Sequence, residues 1–269
     1  MTKAATVLAY HAIGECPNSE RPHNCVCVST ETFAKQMEFL ANSRQVVSLE
    51  DLVEGRFSER RPAVAITFDD GYRNVIVNAV PILNRYGFTA TIFVPTKWIG
   101  QKNFWDVDTN CFPLEIADED ELRAVSMLGI AVESHGHAHI DLEQADSLTV
   151  AEDLQMSANR LREIFGRDSR HLAYPYGRQS PATWASAAAA GFSYAFLCDS
   201  TEAGELARER VSIDGREGKV RLRLKTAGGY LSRRHSRLGS MAASITRLTF
   251  PRAHIPSAWT SAVRQENSQ

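Results

Sequence analysis

The feature that most constrains the fold is an alternation of short apolar runs with longer segments of helical periodicity. Ala5–Tyr10, Ala63–Phe68 and residues 88–94 have the length and apolar character of buried strands, whereas residues 30–41 place apolar side chains on one helical face. Strands that alternate with helices are typical of parallel sheets, in which a helix carries the chain back to the next strand. The sequence therefore predicts an α/β fold, built as a parallel sheet or a barrel with helices outside.

The rest of the chain continues this alternation. We predict further strands at residues 130–133, 171–174 and 192–197, and helices at residues 74–86, 119–128, 149–165 and 180–190. Thr149 and Glu152 have the spacing of a capping box, which predicts that the third of these helices begins at Thr149. Glycines follow most of the predicted helices, as expected where a chain leaves a helix in the left-handed conformation.

The length suits one large α/β domain or two small ones, and either can bury a full core. The chain has 269 residues, of which 43% are hydrophobic and 23% are charged, as in ordinary globular domains. The periodicity fades near Arg233. We therefore expect a folded domain over residues 1–232 and a basic, weakly structured tail over residues 233–269.

Charge and the first residues of the chain bear on partners and location. The net charge of −2 gives no reason to expect nucleic acid as a partner, but basic residues greatly outnumber acidic ones between Arg208 and Arg252. Those basic residues form either ordinary solvated faces or a contact with an anionic partner, which is either a surface, such as a membrane contacted peripherally, or a phosphorylated substrate carrier. No apolar stretch is long enough to span a bilayer and no signal peptide is recognised after Met1, so we expect a cytoplasmic protein.

Two adjacent carboxylates, Asp69 and Asp70, directly follow the predicted strand Ala63–Phe68. The carboxyl ends of parallel strands form the usual active-site edge of α/β folds. Neighbouring side chains on extended backbone point in different directions, so one carboxylate can bind a metal ion while the other faces a substrate. An equally acceptable interpretation is that one of them only caps the next helix.

Three histidines lie within five positions after the predicted strand at residues 130–133. Residues four apart share one face of a helical turn, so we expect His135 and His139 to bind one ion, with His137 pointing elsewhere. Together with one carboxylate, two histidines form a site with open positions that suits catalytic Zn²⁺. We expect one divalent ion, Zn²⁺ first, with Co²⁺, Ni²⁺, Mn²⁺ or Fe²⁺ as alternatives.

Other candidate site residues follow predicted strands or lie in a long loop. His11 follows Ala5–Tyr10, although an isolated histidine is more often structural. Pro175, Tyr176 and Gly177 form a turn whose backbone N–H groups can stabilise an oxyanion. Trp105 lies in an aromatic loop, residues 97–113, that either walls a substrate cleft or packs on the core.

Three short motifs resemble those of the polysaccharide deacetylase family, which carries the NodB homology domain. They are Thr67-Phe68-Asp69-Asp70-Gly71, Ser134-His135 followed by His139, and Ala173-Tyr174-Pro175-Tyr176-Gly177. The resemblance extends over residues 6–213 and implies a single-domain, distorted (β/α) barrel, usually of seven strands. It implies that Asp69 is the general base and that the Tyr176 backbone N–H helps to hold the oxyanion. The metal ligands that it implies are Asp70, His135 and His139.

The chain departs from the family pattern at two places. Ala173 stands where the third motif usually has an arginine that orients the catalytic Asp, and no downstream Leu-x-His motif supplies a general acid. Both departures resemble the subgroup that deacetylates poly-N-acetylglucosamine, whose barrel is circularly permuted and whose acid histidine lies in an N-terminal Tyr-His pair. Tyr10-His11 matches that pair, and Arg210 is the candidate for the missing arginine.

The resulting hypothesis is a metal-dependent hydrolase that removes an N-acetyl group from an N-acetylated amino sugar, whether free, polymeric or linked to a carrier. One alternative keeps the metal site and changes the substrate to a non-sugar amide, imide or formamide. Another alternative is a barrel that binds glycan without turnover. The pair Asp69 and Asp70 argues against mere binding, since a protein that only binds has no need of both carboxylates.

Overall fold

The fold is described by a computed structural model for residues 5–15, 27–105, 113–198, 204–215, 217–228 and 230. The strands in this part of the chain are β1 (Ala5–Tyr10), β2 (Ala12–Ile13), β3 (Cys27–Val28), β4 (Gln45–Val46), β5 (Ala63–Phe68), β6 (Thr91–Val94), β7 (Ala131–Ser134), β8 (His171–Ala173), β9 (Tyr194–Cys198) and β10 (Arg208–Ser212). The α-helices are α1 (Thr30–Ser43), α2 (Leu49–Val53), α3 (Val80–Arg85), α4 (Glu119–Met127), α5 (Ser147–Phe165), α6 (Pro181–Ala189) and α7 (Lys219–Lys225).

Seven of these strands close a parallel barrel. Around the barrel their order is β1, β10, β9, β8, β7, β6 and β5, and β5 pairs again with β1. The closing pair runs in register from Ala5 opposite Ala63 to Tyr10 opposite Phe68. β4 pairs with the first residues of β5, and β2 forms a separate parallel pair with β3. The predicted single-domain (β/α)7 barrel is therefore confirmed.

Apolar side chains from alternating strand positions fill the barrel. Val7, Ala65, Phe93 and Phe196 belong to one buried cluster, and the Phe93 and Phe196 ring centroids are 5.9 Å apart. The helices pack outside the strands through a larger buried cluster that includes Phe33 of α1. A packed interior leaves the strand ends as the place where polar side chains can gather.

Two differences between the structure and the predicted elements concern β10 and the start of α5. β10 is not predicted, because Arg208, Glu209 and Arg210 put charge on both faces of the strand. The predicted capping box at Thr149 is wrong. Asp146 caps α5 instead, and its carboxylate accepts from the backbone N–H groups of residues 148 and 149, so the helix begins at Ser147.

Two predictions concern membranes and the end of the chain. Among the residues that the structure describes, no helix is both long and apolar enough to cross a bilayer. The predicted tail, residues 233–269, lies outside the described residues, so the domain boundary at residue 232 stays a prediction.

Candidate functional site

The carboxyl ends of the barrel strands form one rim, because all the barrel strands are parallel. Asp69 and Asp70 follow β5 at this rim, and His11 follows β1. His135 follows β7, with His139 four residues further along. Both carboxylates and the latter two histidines are buried, with at most 6% of each residue exposed. Buried titratable groups that gather at a strand-end rim are typical of a functional site.

Asp70, His135 and His139 converge at one point of the rim. The Asp70 Oδ1 atom lies 3.4 Å from His135 Nε2 and 3.1 Å from His139 Nε2. One ligand atom from each residue lies within 4.8 Å of the other two, and no second group of this kind occurs in the described residues. Asp70 Oδ1 is buried and has no hydrogen-bond partner there. A buried carboxylate oxygen without a donor is costly unless a cation approaches it.

Hydrogen bonding prepares His135 for metal binding. Its Nδ1 atom lies 2.7 Å from the Ala173 carbonyl oxygen, which can only accept, so Nδ1 carries the proton. The lone pair is then on Nε2, the atom that faces Asp70. One carboxylate and two imidazoles are a donor set that suits a catalytic divalent ion and leaves positions for water and substrate. The residues present therefore fit the metal that the sequence predicts.

A loop brings the two histidines together, so the predicted helical turn is wrong. The chain after β7 is not helical, and Gly136 and His139 have left-handed φ values of 74° and 58°. Glycine adopts such values without steric cost. At Gly136 the glycine is also required by space, because an added Cβ would lie 2.9 Å from Asp153 Oδ2.

Asp153 on α5 holds this loop. Its carboxylate oxygens accept from the backbone N–H groups of His137 and Ala138, each at 2.8 Å, and only 6% of the residue is exposed. One turn further along α5, the Ser157 hydroxyl shares a 2.6 Å hydrogen bond with the hydroxyl of Ser134. A charged acceptor for two successive amides fixes the backbone between His135 and His139. Sequence reasoning missed Asp153, although a carboxylate on the apolar stripe of a helix signals a buried partner.

Asp69 is paired with a buried arginine. Arg210 Nη1 donates to Asp69 Oδ1 at 2.6 Å, and Nη2 donates to Oδ2 at 2.7 Å. The guanidinium is fully buried and also donates to the Thr67 hydroxyl at 3.1 Å. Burial raises the pKa of Asp69, but the charge of Arg210, with smaller contributions from His135 and His11, outweighs it and holds the pKa below its usual value. Asp69 is therefore ionised at neutral pH.

His11 lies beside this ion pair. Its Nε2 atom is 4.0 Å from Asp69 Oδ2, which is too far for a hydrogen bond, and 21% of its side chain is exposed. Its Nδ1 atom is buried and has no hydrogen-bond partner among the described residues. The strand pairing of Tyr10 with Phe68 explains why His11 lies beside Asp69, since the paired residues immediately precede these two.

Aromatic side chains surround His139. The Trp105 ring stacks on the His139 ring with centroids 4.0 Å apart, and the Tyr176 ring meets it edge-on at 4.8 Å. Trp98 packs against Trp105 and Phe104 at centroid distances of 6.1 and 6.0 Å. Phe104 is 47% exposed and Tyr176 is 42% exposed. The aromatic cluster therefore extends from His139 to solvent.

Pro175, Tyr176 and Gly177 form a tight turn after β8. Tyr176 has a left-handed φ of 59°, and the Gly177 N–H donates to the Tyr174 carbonyl at 3.0 Å. An added Cβ at Gly177 would lie 3.2 Å from the backbone nitrogen of Cys198, so the glycine lets the turn pack closely on β9. The turn therefore holds the Tyr176 backbone in one place at the rim.

Comparison with known sequences identifies relatives of this chain. The sequence model of the polysaccharide deacetylase family matches residues 58–195, just over half of the chain. YxkH of Bacillus subtilis (strain 168) is 26% identical over 208 residues, which are 76% of this chain and 67% of that protein. The poly-β-1,6-N-acetyl-D-glucosamine N-deacetylase of Staphylococcus aureus (strain MRSA252) is 28% identical over 183 residues, or 63% of this chain. The chain spans 60% of the length of that enzyme.

Two solved structures share the fold. The Streptococcus pyogenes deacetylase PplD, in complex with acetate, has a TM-score of 0.70 at 22% identity, covering 83% of this chain and 98% of that one. IcaB from Ammonifex degensii has a TM-score of 0.69 at 23% identity, covering 84% of this chain and 98% of that one. These similarities show a common barrel. The resemblance carried by the three motifs is confirmed by the family match, and the chain belongs to the polysaccharide deacetylase family.

Proposed function

We propose that the protein is a divalent-metal-dependent N-deacetylase that hydrolyses the acetamide of an N-acetylated amino sugar. One observation carries this proposal: an Asp-His-His donor group lies beside a second buried carboxylate that an arginine keeps ionised. The family match supports deacetylation, and one relative is named for deacetylating poly-β-1,6-N-acetyl-D-glucosamine. Amide hydrolysis needs a base, an acid and stabilisation of an oxyanion, and the rim offers a candidate for each.

Asp70, His135 and His139 would hold the metal ion. We expect Zn²⁺ because of the mixed nitrogen and oxygen donors, and Co²⁺, Ni²⁺, Mn²⁺ and Fe²⁺ accept similar donors. Such an ion, when bound, lowers the pKa of a coordinated water to about 7 and polarises a carbonyl group. The His139 ring is stacked under Trp105 and almost fully buried, so packing fixes its orientation toward Asp70.

Asp69 is the residue that we assign as general base. Its carboxylate is ionised at neutral pH because Arg210 outweighs the effect of burial on its pKa. Arg210 contacts both oxygens, but each carboxylate oxygen has two lone pairs and can accept a further proton. The fixed guanidinium therefore orients the base without blocking it, and Asp69 can take a proton from the attacking water.

His11 is the candidate general acid. An amide does not expel a bare amine anion, so its nitrogen must be protonated as the tetrahedral intermediate collapses. His135 and His139 face Asp70, whereas His11 lies beside Asp69 and is partly exposed. Histidine can donate a proton near neutral pH.

The turn at Pro175 and Tyr176 is the candidate oxyanion site. It follows β8 at the same rim, and the Tyr176 side chain contacts His139. A backbone N–H held in a rigid turn needs no reorganisation when negative charge develops on the carbonyl oxygen. We therefore assign the Tyr176 backbone N–H as the oxyanion donor, with Pro175 fixing the turn.

The aromatic cluster supports a sugar as the substrate. Tyr176 is exposed beside His139. Phe104 is exposed at the other end of the cluster and is connected to His139 through Trp98 and then Trp105. Aromatic rings offer large apolar faces, and the C–H faces of sugar rings can pack on them. Free, polymeric and carrier-linked amino sugars present the same acetamide, so contacts beyond it decide among them.

A panel of acylated substrates tests the proposal. Protein loaded with Zn²⁺ is assayed for acetate release from N-acetylglucosamine, from its β-1,6 oligomers and from non-sugar acetamides. We expect turnover of the sugars. Turnover of non-sugar amides alone would assign the amidohydrolase alternative, and sugar binding without turnover by any metal-loaded form would assign the glycan-binding alternative.

A further inference from the structure

The helix α7, which follows β10, has an unexpected distribution of apolar side chains. Leu222 is fully buried in the main hydrophobic core. Val220 and Leu224 lie two positions before and after it, which turns them to the opposite face of the helix. They are 75% and 58% exposed. The outward face of a surface helix normally carries polar side chains, so this apolar pair departs from the usual pattern.

Cations flank this apolar pair. Arg221 and Arg223 lie on its two sides and are exposed, and Lys219 begins the helix. α7 contains no acidic residue, and no ion pair joins Arg221 or Arg223 to another residue in the part of the chain that the structure describes. Lys225 differs from them because its ammonium group pairs with the buried Glu217. Three of the four cations of the helix are therefore available to an external anion.

An arginine from a neighbouring element adds positive charge beside α7. Arg44, which follows α1, donates to the carbonyl oxygens of Arg223 and Thr226 at the end of α7. The described part of this surface thus has an apolar pair flanked by cations, which is the complement of an anionic lipid surface.

We propose that α7 is a membrane-docking surface, in which Val220 and Leu224 enter the interface of an anionic bilayer and the flanking arginines bind lipid phosphates. Guanidinium groups bind phosphate through paired donors. Arginine stems can lie along apolar surface while the charged ends reach the headgroups. Two apolar side chains give only shallow insertion, so charge supplies most of the attraction. Binding therefore requires anionic lipid and weakens with salt.

Docking through α7 would bring the rim close to the bilayer. Only residues 213–218 separate α7 from the end of β10, and that strand ends at the rim. Ser212 at the end of β10 pairs with Ala9, two residues before His11. The helix therefore begins near the proposed deacetylase site, and glycans at a membrane surface would reach that site.

Vesicle sedimentation with the full-length protein tests this surface. The probes are vesicles of phosphatidylcholine alone and vesicles that also contain phosphatidylglycerol. We expect binding to the anionic vesicles alone, with release at high salt. Val220→Gln/Leu224→Gln and Arg221→Gln/Arg223→Gln should each weaken this binding by at least about tenfold. All the substituted side chains are exposed, so thermal unfolding should resemble that of the wild type.

Matched variants make the test specific. Met127→Gln/Leu128→Gln removes an exposed apolar pair elsewhere, and Arg60→Gln/Arg61→Gln removes an exposed cationic pair, so neither should change vesicle binding. Wild-type vesicle binding by both α7 variants would overturn the proposal, as would equal binding to uncharged vesicles or no binding to either. Self-association that is lost in the α7 variants would also overturn it, because the apolar pair would then bind a second copy. Acetate release from soluble N-acetylated oligosaccharides should stay unchanged, so the deacetylase proposal has a separate test.

Discussion

Arg210 on β10 donates to both carboxylate oxygens of Asp69, which follows β5, at 2.6 and 2.7 Å. The two strands lie on either side of β1, so the pair forms when β1 closes the barrel. Ala173 occupies the place where the family motif has its arginine, and the guanidinium beside Asp69 comes from a different strand. Barrel closure and the charge state of the proposed base are therefore linked through one buried ion pair.

Removing Arg210 should destabilise the fold, because the Asp69 carboxylate then stays buried without its partner. We expect Arg210→Gln to lower the free energy of unfolding by about 3–5 kcal/mol. Asp69→Asn/Arg210→Gln should recover part of this loss, since the double variant buries no unpaired charge. Urea unfolding of the metal-free wild type, both single variants and the double variant measures the coupling. Strictly additive changes in the free energy of unfolding would show that Asp69 and Arg210 contribute to stability independently.

Asp153→Ala should weaken metal binding although it changes no metal ligand. The variant loses the acceptor for two backbone N–H groups in the loop between His135 and His139. We expect a loss of about 10- to 100-fold in Zn²⁺ affinity, measured by competition with a chelator. Glu152→Ala removes the neighbouring exposed carboxylate of α5 and should leave the affinity unchanged. A folded Asp153→Ala protein with wild-type affinity would show that the loop does not depend on this carboxylate.

His11→Ala should separate proton donation from metal binding. We expect unchanged metal content and a loss of at least about a hundredfold in turnover of an N-acetyl sugar. An activated ester needs no protonation of its leaving group, so its hydrolysis should fall much less. Equal losses on the two substrates would indicate that His11 is structural, and no loss on either would remove it from the mechanism.

Phe104→Ala should raise KM for an N-acetyl sugar, because its exposed ring is part of the proposed sugar-binding surface. We expect an increase of roughly tenfold, with kcat nearly unchanged, as for lost uniform binding. Leu148→Ala removes an exposed apolar side chain at the start of α5 and serves as the control. Steady-state kinetics on the same substrate compares the two variants, and equal KM values would exclude Phe104 from substrate binding.

The sequence best predicts those strands whose side chains are mostly apolar. Ala5–Tyr10 and Ala63–Phe68 have their predicted bounds. β10 is missed because its charged side chains have partners that only the folded barrel supplies: Arg208 lies over the Tyr194 ring, and Arg210 pairs with Asp69. Pattern reasoning treats charged residues as exposed, so a strand with paired internal charge resembles a loop.

Candidate site residues can be found from the sequence by their position after strands, but their geometry cannot. The spacing of His135 and His139 predicts a helical turn, whereas the loop uses left-handed backbone at Gly136 and at His139 itself. Asp153, which holds this loop, lies 15 and 16 residues from its two backbone donors and on a different element. Contacts of that kind depend on tertiary packing, which a local sequence pattern does not record.

The predicted cytoplasmic location and the predicted tail have their own tests. Cell fractionation in high-salt buffer, which should release the protein from membranes, should find it with cytoplasmic markers rather than with periplasmic or secreted ones. Limited proteolysis should cut the chain beyond Arg233 and leave a stable fragment that contains the barrel. Rapid cleavage before residue 232, without such a fragment, would contradict the predicted boundary.

Metal content measured together with acetate release tests the central claim most directly. His135→Ala removes one of the three proposed ligands, whereas Asp69→Asn keeps all three and removes the proposed base. We predict that His135→Ala loses both the metal and turnover. Asp69→Asn should keep wild-type metal content while turnover of an N-acetyl sugar falls by about 10² to 10⁴. Wild-type metal content in His135→Ala, or near wild-type turnover by Asp69→Asn, would contradict the account.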